Sequence, residues 1–144
     1  MKIGFTCSTF DLFHAGHLLM LEEAKKQCDY LIVGLQTDPT IDRPREKNKP
    51  VQSVFERWIQ VESCKYVDKV IPYATEKELV DILLSYPINV RILGEEYMSK
   101  SFTGADLSME FYYNQRRHSF STSELRQRVV AAEIDKGLKN GNPT

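Results

Sequence analysis

Hydrophobic positions along the chain switch between two periods. "KIGFT" (Lys2–Thr6) and "YLIVGLQT" (Tyr30–Thr37) are nearly continuous apolar runs, as expected of strands covered on both faces of a parallel sheet. Between them "HLLMLEEAKKQC" (His17–Cys28) takes helical spacing, with Leu18, Leu21 and Cys28 roughly on one face. The alternation continues with a helix over "SVFERWIQVESCKY" (Ser53–Tyr66), with Val54, Trp58, Val61 and Cys64 on one side, and a strand over "DKVIPY" (Asp68–Tyr73). A helix over Glu76–Tyr86, a strand over Asn89–Gly94, a strand over Glu110–Asn114 and a helix over Ser121–Lys136 complete the series. Asp38–Pro50, with three prolines and many charges, is a loop. Tyr30, Phe55, Trp58 and Tyr66 read as core aromatics. Strands alternating with helices, without an internal repeat, predict an α/β domain over residues 1–136. Its sheet would be doubly wound, mainly parallel and Rossmann-like, with about five strands. Residues 137–144 read as a flexible C-terminal tail.

Composition narrows the partners. Hydrophobic content of 42% and charged content of 27% are ordinary for a soluble globular chain. A net charge of −1 supplies no global field for a polyanion, so no nucleic-acid partner is expected. The local basic clusters "RPREKNK" (Arg43–Lys49) and "RRH" (Arg116–His118) suit a small phosphorylated ligand instead. Cys7, Cys28 and Cys64 are odd in number with no CxxC spacing, which predicts reduced thiols in a cytoplasmic protein. No signal-peptide pattern and no membrane-length apolar run are present, so no membrane partner is expected.

The chemistry concentrates where the first strand meets the first helix. "TFDLFHAGHLLM" (Thr9–Met20) places Asp11, His14 and His17 around Gly16, the glycine allowing close approach to the backbone. Free N–H groups of a first helical turn and two imidazoles three residues apart make a donor-rich site for an anion such as phosphate. In a doubly wound sheet that position lies in the ligand crevice beyond the strand ends. No third Cys, His or carboxylate stands nearby at a recognised ligand spacing, so no protein-held metal is expected. "STSE" (Ser121–Glu124) is a capping box that leaves Thr122, Ser123 and further N–H groups for a second anionic group.

These residues carry a resemblance. "STFDLFHAGH" resembles the G-T-F-D-x-x-H-x-G-H signature of the cytidylyltransferases, especially the short glycerol-3-phosphate cytidylyltransferases, with Ser8 in place of a glycine. "RRHSFSTS" (Arg116–Ser123) is similar to their R-T-x-G-I-S-T-[ST], with Arg117 and Ser119 replacing threonine and glycine. "KNKP" resembles a K-x-K loop, "ERWIQVESCKYVDKVIP" an arginine-bearing helix with its following strand, and "LGEEY" a G-D-D-W segment. "YMSKS" (Tyr97–Ser101) is a chance likeness to the K-M-S-K-S loop of class I aminoacyl-tRNA synthetases, though Lys100 remains within reach of a phosphate by this reading.

The resemblance implies transfer of CMP from CTP to a phosphate monoester, with glycerol 3-phosphate the first expectation and pyrophosphate leaving. It assigns His14, His17, Lys47 and Arg116 to catalysis. It assigns nucleotide contacts to Thr9, Phe10, Asp11, Gly16, Gly94, Glu95, Ser121, Thr122 and Ser123 as well. Lys47, Lys49 and Arg57 would hold the acceptor phosphate. Asp11 would orient the histidine loop or touch the metal through water, the first being preferred, and Mg2+ would arrive on the triphosphate, held mostly by its oxygens and water. A homodimer is implied, with the "KYVDKVIP" region near its interface. Two other readings stay open: an adenylyltransferase using ATP with a phosphopantetheine or sugar-phosphate acceptor, and a non-catalytic nucleotide-binding module.

Overall fold

The computed structural model describes residues 1–139. Five strands, β1 (Ile3–Ser8), β2 (Tyr30–Gln36), β3 (Lys69–Tyr73), β4 (Val90–Gly94) and β5 (Glu110–Asn114), form one sheet in the order β3-β2-β1-β4-β5. Every neighbouring pair is parallel, with Ile3 opposite Tyr30, Ile32 opposite Lys69, Phe5 opposite Arg91 and Val90 opposite Glu110. The helices are α1 (Ala15–Lys25), α2 (Val54–Glu62), α3 (Glu76–Ser85) and α4 (Thr122–Lys139). The doubly wound Rossmann-like expectation therefore holds.

Strand alternation separates two cores. Leu31, Val33 and Leu35 of β2 face Leu21 and Ala24 of α1 and Val61 of α2, while Ile32 joins Phe5, Tyr73 and the α3 residues Leu79, Ile82 and Leu83 on the other side. Strand order reverses between β1 and β4, which opens a crevice beyond their carboxyl ends.

Several expectations shift. α1 starts two residues before His17, and its buried residues are Gly16, Leu21 and Ala24, with Leu18 exposed. α2 ends at Glu62, and Phe55, expected in the core, is 68% exposed because it lies opposite the buried Arg57–Val61 face. α4 runs through Lys139, so residues 137–139, expected in a tail, are helical. The rest of that tail, 140–144, lies outside the described residues. A short 3₁₀ helix, Glu95–Ser99, follows β4 without a sequence signal that foretold it. No helix among the described residues is long and apolar enough to cross a membrane.

Candidate active site

The loop from β1 to α1 is held in an uncommon backbone form. Phe10 and Leu12 both have left-handed φ, 53° and 50°, a conformation that costs a non-glycine residue energy and persists only where its surroundings enforce it. Burial and three hydrogen bonds do so. Phe10 is fully buried. The Asp11 carboxylate accepts from the Val51 N–H at 2.8 Å and the Gln52 N–H at 3.0 Å, and Gln52 Oε1 accepts from the Leu12 N–H at 2.8 Å. Asp11 thus ties the histidine loop to the start of α2, and both its oxygens are engaged.

The histidines cap α1 reciprocally. His14 is the N-cap residue, its Nδ1 accepting from the Gly16 N–H at 3.0 Å, while His17 Nδ1 reaches back to accept from the His14 N–H at 3.1 Å. A neutral imidazole that accepts at Nδ1 carries its proton on Nε2. The rings lie 3.9 Å apart, and Phe13 stacks on His17 at 5.4 Å with planes 3° apart. Burial lowers the His14 pKa, reinforced by His118 and Arg116. Burial and then the neighbouring His14 push His17 down to about 3, against a smaller opposing pull from Asp11. Both rings are therefore neutral Nε2–H donors near neutral pH. Gly16 is required here, since a Cβ would lie 2.8 Å from the His14 ring and 3.0 Å from that of His118.

The second motif folds onto the first. Glu23 of α1 accepts from the Tyr112 hydroxyl and the Gln115 N–H, both at 2.9 Å, which fastens the end of β5 against α1. The following loop delivers the N-terminus of α4, where His14 Nε2 lies 3.1 Å from Thr122 Oγ1. Ser121 Oγ accepts from the Glu124 N–H at 3.1 Å, as its capping pattern predicts. Arg116 donates to the Phe120 carbonyl at 2.6 Å and remains at the surface.

A cavity of about 890 Å³ opens over this arrangement. It brings together Thr9, His14, Gly16, His17, Lys47, Gly94, Arg116, Ser121 and Thr122. A smaller pocket of about 160 Å³ behind His17 is lined by Phe10, Asp11, Lys47, Thr122 and Ser123. Lys49 and Lys100 are exposed and line neither. Glu95 is exposed outside both, and its neighbour Glu96 takes the lining position.

Arg57 departs most from expectation. It is 1% exposed, and its guanidinium donates to the carbonyls of Gln52, Thr9, Gln36 and Thr37 at 2.6–3.1 Å. It joins the ends of β1 and β2 to α2 and does not line the cavity, so holding an acceptor phosphate is not its work. His118, Arg43, Arg91, Glu76 and Glu96 also line the cavity, and the sequence singles out none of them individually. His118 stood inside the "RRH" cluster and Arg43 inside "RPREKNK", so their charge was visible but not their direction. His118 Nδ1 accepts from the Phe120 N–H at 3.1 Å, leaving its Nε2 available.

A strand–turn–helix junction at the switch point of a doubly wound parallel sheet, met by a second helix N-terminus, defines a Rossmann-like α/β domain with an open crevice at its strand ends. Residues 5–128 match the cytidylyltransferase-like family, and the chain belongs to it, a nucleotidyltransferase by family. It is 38% identical over 149 residues to an ethanolamine-phosphate cytidylyltransferase of Dictyostelium discoideum, covering 96% of this chain and 41% of that protein. It is 34% identical over 128 residues to bifunctional protein HldE of Campylobacter jejuni, covering 89% of this chain and 28% of that protein. The chain thus spans less than half the length of both relatives. In fold it is similar to a lipopolysaccharide core biosynthesis protein of Thermoplasma volcanium, with TM-score 0.68 and 21% identity over 82% of this chain and 99% of the other.

Proposed function

We propose that the chain transfers CMP from CTP to a small phosphorylated alcohol and releases pyrophosphate. The observation that carries this reading is the meeting of two neutral Nε2–H donors with the N-terminus of α4, through the 3.1 Å contact of His14 and Thr122, on one cavity wall. In the reaction an acceptor phosphate oxygen bonds to the α-phosphorus as the bond to the bridging oxygen breaks. Both reactants are anions, so catalysis is positioning and charge neutralisation, and no side chain need act as nucleophile. His14 and His17 hold the α-phosphate and the bridging oxygen. Thr122, Ser123 and Arg116 hold the leaving pyrophosphate at the positive end of α4. Lys47 brings a compact mobile charge to the acceptor phosphate from its loop. Gly94 and Glu96 face the nucleoside.

Magnesium, when bound, supplies charge neutralisation on the triphosphate, held there by phosphate oxygens and water. The donor set of the chain fits that arrangement better than a protein cage. Both Asp11 oxygens accept from backbone N–H groups, and no group of three or more His, Cys, Asp or Glu among the described residues is placed to hold an ion. The free thiols of Cys7, Cys28 and Cys64 support a cytoplasmic setting. A homodimer belongs to the same proposal. The exposed Val51, Phe55 and Ile59 around α2 favour it, and light scattering that gives twice the monomer mass is the expected result.

Glycerol 3-phosphate is the first acceptor to test, with phosphoethanolamine beside it because the Dictyostelium relative is named for that substrate. The deciding experiment for the nucleotide is calorimetric binding of magnesium CTP against magnesium ATP. Preference for CTP is expected. Preference for ATP moves the protein to the adenylyl reading, and binding of neither supports a non-catalytic module.

A further inference from the structure

The part of the cavity on the α3 face of the sheet has no role in the mechanism above. Cys7, Tyr73, Leu79, Arg91 and Phe102 line it. Arg91 is out of place by sequence logic. It lies in β4 between buried Val90 and Ile92, in a sheet interior where an aliphatic residue is expected, and it is only 4% exposed. The guanidinium lies 5.3 Å from the centre of the Phe102 ring, and Nη1 donates to the Thr103 carbonyl. The Cys7 thiol is its other polar neighbour, and Nε is buried with no partner.

Nor is the charge neutralised. Glu76, on the same wall, is paired with Arg43 at 2.9 Å. The Cys7 thiol beside Arg91 is pushed up by burial and stays uncharged. A buried cation without a counter-charge is costly, and a carbonyl and a ring face offset that cost only in part. The 101–104 loop is nonetheless built to close on this group. Gly104 has φ +85°, and a Cβ there would lie 2.9 Å from Arg91 Nη1. The guanidinium, which lines the cavity with Nε left unpartnered, keeps hydrogen-bonding capacity beyond its bond to Thr103, and a guanidinium binds a carboxylate through charge-assisted bonds.

We propose that Arg91 makes this lobe a pocket for an anionic group, a carboxylate by preference, at the far end of the acceptor. The inference rests on the transferase reading and sharpens it. The acceptor is a phosphate monoester that carries a second negative charge. An acceptor with an ammonium group at that end faces an unpaired guanidinium and is disfavoured.

The test is calorimetric binding of three compounds to the full chain, with and without a non-hydrolysable CTP analogue. 3-Phosphoglycerate and glycerol 3-phosphate share a carbon skeleton and differ by a carboxylate in place of a hydroxymethyl group; phosphoethanolamine supplies the ammonium. A charged hydrogen-bond pair predicts that 3-phosphoglycerate binds ~10-fold or more tightly than glycerol 3-phosphate, with phosphoethanolamine weakest. R91M abolishes the preference and R91K keeps part of it. R91M also keeps or raises Tm, because a buried unpaired charge is removed. Equal affinity for the first two compounds in the wild type overturns the proposal. So does an unchanged preference in R91M, or no binding of 3-phosphoglycerate at millimolar concentration in either arm. Failure of the CTP analogue to bind counts against the transferase reading alone, since the analogue-free arm still reports the preference.

Discussion

A backbone N–H occupies Nδ1 of each histidine in the HAGH turn, and much of the site follows from that. Protonating Nδ1 would set two donors against each other, so acid breaks the same bonds that cap α1. His17 takes up a proton near 6.5 when unfolded and only near 3 when folded. The unfolded state therefore binds more protons between those values. The stability His17 contributes is complete above the upper value and is lost as pH falls toward the lower one. Denaturant titrations between about pH 7 and about pH 4.5 should show falling stability in the wild type and a shallower slope in H17Q. D11N weakens two hydrogen bonds from backbone N–H groups to a buried charge and should lower stability by about 1–3 kcal/mol in urea unfolding. Its kcat should fall too, since the histidine loop is no longer tied to α2. A stability unchanged within error would remove Asp11 from that role.

At the scale of elements, the junctions carry more than the elements themselves. Arg57 sits in the middle of α2, yet its four carbonyl partners belong to the ends of β1 and β2 and the turn before its own helix. R57K keeps the charge but cannot span the same fork, so it should cost about 2 kcal/mol or more in chemical denaturation. The KM for the acceptor should change no more than the KM for CTP. A selective loss of acceptor affinity would return Arg57 to the binding site. The strands were legible in the sequence because each is a short apolar run between breakers, and β5 falls on the predicted residues. The histidine turn was legible as a strand–helix junction, where both imidazoles cap α1, because an apolar strand ends just before it and a helical pattern begins at it. Arg57, Arg91 and Glu96 were not, because a sequence shows that a charge exists and not which carbonyls or cavity it faces. Phe55 was misread for a related reason: α2 alternates an apolar face with a second apolar face that is exposed, and periodicity does not say which one meets the sheet.

Over the whole molecule, the β1–β4 switch point gathers the site from distant parts of the chain. The histidine loop follows β1, Gly94 ends β4, and α4 arrives after β5, so the cavity exists only when the full sheet is paired. Lys47 comes from the long loop between β2 and α2, where its exposure suits a charge that closes over a bound phosphate. In the proposed reaction, neutral donors on His14 and His17 stabilise the α-phosphate as it is transferred. The measurement to make is pyrophosphate release by H17A, with magnesium CTP and the acceptor the wild type uses, once circular dichroism shows the variant folded. Loss of one preorganised donor predicts a fall in kcat of at least ~10²-fold. Turnover at the wild-type rate in a folded variant would leave His17 without that role.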